Sequence, residues 1–243
     1  MYRFIILHTP DSSLLRGGFS ITVRGDFYIT SDTLDLWIEN VVRKRCTGQV
    51  RLIRVADDFV VCLQYKAEAE EVERLLIERL GKFGLEVEPT KTRVVEFGRY
   101  AADNAKRRGE RPETFDFLGF THYCGTRRDG KGFRMKRITA RKKFTSKVKA
   151  FKGWLKTART MKTKELWEVA KAKLRGHYAY YGVSDNLPGI MRFSEEAKRL
   201  LFKWLNRRGK RQGLNWQKFS EMLKRFPLPE PRIKVSMFVK SVN

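Results

Sequence analysis

Cysteine and histidine are scarce, three of each in 243 residues. Cys46, Cys62 and Cys124 are odd in number and widely spaced, which excludes a disulfide framework and gives no zinc-ligand spacing. Such usage fits a reducing compartment, so a cytoplasmic location is expected. No apolar run approaches the length of a membrane span, so no membrane partner is expected. The short apolar run in residues 1–7 is followed by no clean small-residue cleavage site, so no signal peptide is expected. Gly17-Gly18 is not followed by Gly-Lys-Ser/Thr, which excludes a phosphate-binding loop there. His177 has no partner at ligand spacing, which excludes a metal site around it. No His-Asn-His pattern occurs near the C-terminal end, so a nuclease centre of that kind is not expected.

The most telling scarcity is of carboxylates in the second half. Residues 1–120 hold 19 basic and 19 acidic residues, whereas residues 121–243 hold 33 basic and only 8 acidic ones. The whole excess of +25 therefore lies in the second half. A folded segment with that charge repels itself unless a polyanion neutralises it; nucleic acid is the usual one, and an anionic membrane surface is the weaker alternative. The plainer reading of a lysine-rich helix face is simple solvation. It is less apt here, because several successive segments carry the excess with few acidic partners. With 42% hydrophobic and 12% aromatic residues the chain can build a true core.

Residues 1–33 resist reading. Gly17-Gly18 and Gly25-Asp26 break them up, although Phe19 to Val23 alternates like a strand. Residues 35–45 carry Leu36, Trp37, Val41 and Val42 on one helical side. Residues 49–64 read as a hairpin, two β-branched runs flanking Asp57-Asp58 at its tip. The clearest helix spans residues 66–83, with Val72, Leu75, Leu76, Leu80 and Phe83 in helical period. Thr92 to Phe97 reads as a strand, and Tyr100 to Glu113 as a charged surface loop. Phe115 to Phe120 reads as one strand, with Gly119 marking a bulge or a close backbone approach. Residues 123–138 read as a hairpin turning at Asp129-Gly130. Helices are expected over 141–159, 163–181, 190–208 and 216–226, the last capped by Asn215. The fold class is therefore α+β: an antiparallel sheet fragment with helices, then a basic helical bundle.

Two carboxylates on a tight turn can hold a divalent metal. The same residues can equally be turn formers alone. Motifs around them add context. Val55-Ala56-Asp57-Asp58 resembles the Tyr-Ala-Asp-Asp hairpin of reverse transcriptases. Gly84-Leu85-Glu86 with Lys91-Thr92 resembles the family's next motif, and Phe117-Leu118-Gly119-Phe120 the one after it. Arg175-Gly176-His177-Tyr178 with Tyr180-Tyr181-Gly182 resembles the maturase segment of group II intron proteins. The chain thus resembles a group II intron reverse transcriptase/maturase from about Leu34 almost to the end.

The resemblance implies a palm-type sheet over 34–122 and a mostly helical thumb/maturase domain over 123–243, with residues 1–33 unassigned. It implies RNA-directed DNA polymerase chemistry, with Asp57 and Asp58 as catalytic residues and Mg2+ ligands. Lys91, Phe117, Leu118 and Gly119 fall to nucleotide and primer, with a solvated turn lysine at Lys91 and core packing of the Phe117 to Phe120 aromatics as equal alternatives. Arg141, Lys142, Lys143, Lys147, Arg175, His177, Tyr180 and Tyr181 fall to RNA. At least two of His177, Tyr178, Tyr180 and Tyr181 are expected in the core. Implied partners are group II intron RNA and a DNA target or primer, with a second copy or a complementing N-terminal fragment as protein partners. Position 55 is Val where the family has Tyr. The family's fingers and first palm half, with the other metal-binding carboxylate, have no counterpart. Asp26, Asp32 and Asp35 are the acidic residues that could replace it, and Arg24-Gly25-Asp26-Phe27-Tyr28-Ile29 is the nearest imitation of its context. The chain reads as a truncated or rearranged copy, and the alternative is a catalytically inactive RNA-binding maturase module or a degenerate remnant.

Overall fold

The computed structural model describes residues 2–8, 34–55, 58–82, 92–127, 129–207 and 213–236. It is an α+β protein that divides into two compact units. One comprises residues 1–118 and 122–136, the other residues 119–121 and 137–243.

The first unit is built on a four-stranded antiparallel sheet. Its strands are β1 (Tyr2–His8), β2 (Val50–Val55), β3 (Asp58–Leu63) and β4 (Arg93–Phe97), in the order β2-β3-β1-β4. Residues 34–45 form helix α1, with a π turn over Ile38–Val42, and Lys66–Gly81 forms α2. Among the described residues the succession β1-α1-β2-β3-α2-β4 matches the ferredoxin-like β-α-β-β-α-β arrangement. β1 lies inside the sheet, with His8 in register with Asp58 and Ile5 with both Val61 and Val94. Sequence patterning alone leaves this segment unassigned.

One face of the sheet is covered by the helices. Trp37, Ile38 and Val42 of α1 and Val72, Leu76 and Leu80 of α2 pack with Val61 and Leu63. Val60, Val95 and Phe97 form a separate core with Phe115 and Phe117. With its neighbours Val60 and Val61 in two different cores, β3 reads as an unbroken apolar run rather than an alternating one.

Two expectations are corrected nearby. Residues 100–113 are not simply a loop, because Ala101–Arg107 forms a short helix, α3. Its anchor is the buried Glu96 carboxylate, which accepts from Asn104 Nδ2 at 2.8 Å and from Arg108 at 3.1 Å. Ala101 and Ala105 are small enough to sit against the core. Nor is Phe115 to Phe120 a single strand. Thr114–Phe117 is β5 and Phe120–Thr126 is β6, joined by Leu118 and Gly119 at φ +48° and +79°. Two successive positive φ values are the geometry of a tight hairpin turn. With β7 (Phe133–Thr139) these strands make a second sheet in the order β5-β6-β7. The Asp129-Gly130 turn is where it was expected, closed by Arg127 N–H donating to Gly132 O at 3.1 Å.

The second unit is a helical bundle of α4 (Arg141–Thr157), α5 (Thr163–Tyr181), α6 (Leu187–Asn206) and α7 (Trp216–Arg225). The Asn215 side chain caps α7, accepting from Lys218 N–H at 2.8 Å. Phe151, Leu155, Leu166, Leu174, Ile190, Leu201 and Phe219 fill the core. The α6 start is tied down by Asn186, which is fully buried. Its Oδ1 accepts from Thr139 N–H at 2.8 Å, and its Nδ2 donates to Tyr181 O at 2.8 Å.

No helix among the described residues is long and apolar enough to cross a membrane. The three cysteines are unpaired, and burial pushes the Cys62 thiol up to about 12, which leaves it unreactive.

Candidate nucleic-acid interface

From Gly130 to Lys164 the chain carries fourteen Lys and Arg and no Asp or Glu. Helix α4 forms the centre of this stretch. Phe144, Val148, Phe151 and Leu155 recur at helical spacing and face the bundle. Between them Arg141, Lys142, Lys143, Lys147, Lys149, Lys152 and Lys156 are exposed. Among the described residues no carboxylate pairs with any of these seven. The neighbouring helices behave differently. Lys171 pairs with Glu168 on α5, and Lys198 and Arg199 pair with Glu195 and Glu196 on α6.

The placement of the α4 charges works against stability. Its first turn holds Arg141, Lys142 and Lys143 and no acidic residue. Cations there face the positive end of the helix dipole. A polyanion laid along this helix relieves both the dipole clash and the mutual repulsion.

Two sequence motifs meet beside this helix. Ala140 N–H, just before α4, donates to Gly119 O at 3.0 Å. A Cβ at Gly119 would lie 3.1 Å from the Tyr181 hydroxyl and 3.8 Å from Lys143 Cγ. The expected close backbone approach at Gly119 is therefore present. Phe120 stacks nearly parallel on Tyr180, ring centres 6.0 Å apart, and also meets Tyr181 at 5.3 Å. Gly119, Lys143, Tyr180 and Tyr181, drawn from distant parts of the sequence, thus share one neighbourhood.

The aromatic candidates separate by burial. Tyr180 is 54% exposed, and together with Phe120 it offers an aromatic surface of the kind on which bases stack. His177, Tyr178 and Tyr181 are buried, so three of the four belong to the core. His177 stacks on Phe193 with centres 3.6 Å apart. Burial, and then the Lys147 charge, pull its imidazole down to about 4, so it is neutral at physiological pH. As direct RNA contacts His177 and Tyr181 are corrected: they brace the helix that presents Tyr180. Arg175 is exposed elsewhere on α5.

Two residues that no sequence motif singles out extend the basic face. The Arg192 guanidinium of α6 lies 4.8 Å over the Phe144 ring, and Lys173 of α5 lies 5.2 Å over Trp154. Each covers an aromatic residue of α4 with a cation from a neighbouring helix. Their partners are 48 and 19 residues away in sequence, so no local pattern announces them.

The carboxylate hairpin is less complete. Val55 pairs with Asp58, so Asp58 is the first residue of β3 and not the tip of the turn. Asp57 and Lys91 lie outside the described residues. Asp35, one candidate for the missing carboxylate, is engaged by Arg54 through a two-pronged ion pair of 2.9 and 2.6 Å. The β1 strand beside β3 reads Tyr-Arg-Phe-Ile-Ile-Leu-His and contributes no Asp or Glu. Among the described residues no three His, Cys, Asp or Glu side chains converge as metal ligands, so these residues do not by themselves assemble a magnesium site. Phe117 is buried among Phe97 and Phe115, a core residue rather than a primer contact. Among known proteins, no family model matches this chain and no curated sequence is significantly similar to it.

Proposed function

We propose that the chain is an RNA-binding protein of the group II intron reverse transcriptase/maturase type, whose helical unit grips intron RNA and helps it fold for splicing. The observation that carries this reading is α4, with seven exposed cations, no carboxylate partner among the described residues, and three of the cations at the unfavourable end of its dipole. Arg192, Lys173 and the Phe120–Tyr180 stack add cationic and stacking groups around it. Backbone charge and an exposed ring suit RNA, which is recognised by shape, phosphates and unpaired bases. The palm-type sheet implied by the resemblance is supported by the antiparallel sheet, backed by helices, that carries Asp58.

The test is binding of a structured RNA across a salt series. Affinity should fall steeply with salt, and Lys142→Glu/Lys143→Glu/Lys147→Glu should weaken it by about a hundredfold or more, as expected from losing several phosphate contacts. A flat salt response would overturn the reading.

A second reading is RNA-directed DNA polymerase, with Mg2+ on Asp57 and Asp58 and a DNA primer as partner. It is favoured by one observation: Asp58 opens β3, half-buried, directly after Asp57. Primer extension on an RNA template with magnesium decides it. Extension abolished by Asp57→Ala supports it; no extension, or equal extension by both proteins, removes it.

A further inference from the structure

The helical unit has a second basic feature, separate from α4. After α7 the chain runs through Pro227-Leu228-Pro229-Glu230-Pro231 and returns along α5. This strap is held firmly. Trp167 Nε1 donates to Phe226 O at 3.0 Å. Lys234 N–H and Val235 N–H both donate to Gly182 O, at 2.6 and 3.1 Å, and Ser184 N–H donates to Val235 O at 3.1 Å. Gly182 is required here, since a Cβ would lie 2.8 Å from Arg232 O. The three prolines restrict the strap further and leave it few backbone donors of its own.

Between strap and helix lies an open cleft of about 430 Å³, lined by Arg175, Arg232, Lys234, Glu230 and the prolines Pro227 and Pro229. Three cations thus face one carboxylate in the lining. A second carboxylate just outside it, Glu168 of α5, interacts with Arg175 but is paired with Lys171 at 2.9 Å. Glu230 is taken up by Arg232 through contacts of 2.5 and 3.1 Å. The cleft is on the far side of α5 from α4. Lys173 reaches α4 at Trp154, and His177 sits beside Lys147. At about 100° per residue, Arg175 is roughly 160° round α5 from both.

We propose that this cleft is a second RNA-phosphate site, so that the helical unit holds two stretches of RNA backbone on opposite sides of α5. The inference rests on the RNA-binding reading above and adds to it a purpose: bringing two parts of a folded RNA together. The Arg175 guanidinium supplies planar donors that match a phosphate edge, and Lys234 supplies a point charge beside it. The Arg232–Glu230 pair fixes the rim and reduces the local excess, favouring one phosphodiester over a denser anion.

The experiment is a salt series for binding a fluorescein-labelled three-way RNA junction. It compares wild type, Lys142→Gln/Lys143→Gln/Lys147→Gln, Arg175→Gln/Lys234→Gln, and the combination of all five changes. The cleft pair should lower the salt slope by about two, and its effect should add to that of the α4 set, as expected for separate phosphate contacts. Glu230→Gln, which removes the one carboxylate from the cleft, should tighten binding about threefold through local charge alone, a gain that misfolding cannot produce. An unchanged slope for the cleft pair, or no gain for Glu230→Gln, overturns the second site. If the α4 set weakens binding while the cleft pair does not, only this inference falls. If wild type fails to bind the junction at all, the RNA-binding reading falls with it.

Discussion

The sheet unit and the helical unit solve the same electrostatic problem in opposite ways. The first holds 24 basic and 20 acidic residues, a net of +4, and the second holds 28 and 7, a net of +21. In the sheet unit charges are matched in place: Arg54 with Asp35, Arg74 with Glu71, Arg108 with Glu96 and Glu110. In the helical unit α5 and α6 keep such pairs and α4 has none among the described residues. A domain selected for stability alone would place Glu or Asp in the first turn of α4, where the dipole favours them. The difference separates a unit whose charges are largely matched internally from one whose central basic helix leaves them unmatched among the described residues, and the proposed polyanion would supply the missing match.

The largest test of this contrast uses the cores. Leu76 in the sheet unit and Leu174 in the helical unit are both fully buried. Truncation of either to Ala should cost about 3 kcal/mol through lost burial and a residual cavity. The functional consequences should differ. Leu174→Ala, on the helix that presents Tyr180, should weaken RNA binding together with stability, whereas Leu76→Ala should lower thermal stability and leave the affinity of the folded protein unchanged. Equal loss of affinity in both variants would show that the two units do not divide the work in this way.

A second effect of similar size is confined to the helical unit. The His177 imidazole is held down to about 4 by burial first and by Lys147 second. In the unfolded chain it titrates near 6.5. The native state therefore binds fewer protons than the unfolded state between these values. Its contribution is fully present above about pH 6.5 and is lost as pH falls through 4, up to about 3 kcal/mol. His177→Phe keeps a ring against Phe193 and removes a buried Nε2 that has no hydrogen-bond partner among the described residues. Its unfolding free energy should fall less between pH 6.5 and 4 than that of wild type. Parallel pH profiles for the two proteins would show that His177 is not the group responsible.

Much of this architecture is legible in the sequence, for definite reasons. Helices α2 and α5 bury one stripe each, so Val72, Leu76 and Leu80, or Leu166, Leu174 and Tyr178, recur at helical spacing. The hairpin of β2 and β3 and the Asn215 cap carry local signals. What is not legible depends on partners far along the chain. Tyr2–His8 becomes a strand because β3 and β4 pair with it, and both lie far along the chain. The helix α3 is held by Glu96 rather than by its own pattern. Leu118 takes a positive φ that leucine seldom adopts, so the turn there reads as continuous strand. For the candidate site, the α4 cations and Tyr180 are readable as exposed groups of a basic helix and a motif. Arg192, Lys173 and the strap residues are not, because each reaches its place through tertiary contacts with another helix.

The smallest effect separates the two units most directly, because it should differ in sign. Added sodium chloride screens charge. In the sheet unit the strongest local interactions between charges are attractive pairs such as Arg54–Asp35, so screening weakens them. Such partly exposed pairs are worth on the order of 0.2–1 kcal/mol, and the loss should be a fraction of that. In the helical unit repulsion prevails, among Arg141, Lys142, Lys143 and Lys147 and between the first three and the α4 dipole. Screening relieves this repulsion, so the bundle should gain stability. Amide hydrogen exchange between about 20 mM and about 500 mM salt, without RNA, reads the two units separately. Protection of Val61 and Leu76 should fall slightly while that of Phe151 and Leu174 rises. A loss of protection in both would mean that the α4 cations are not repelling one another. Bound RNA should reverse the second response, because the same salt then screens an attraction between α4 and phosphate.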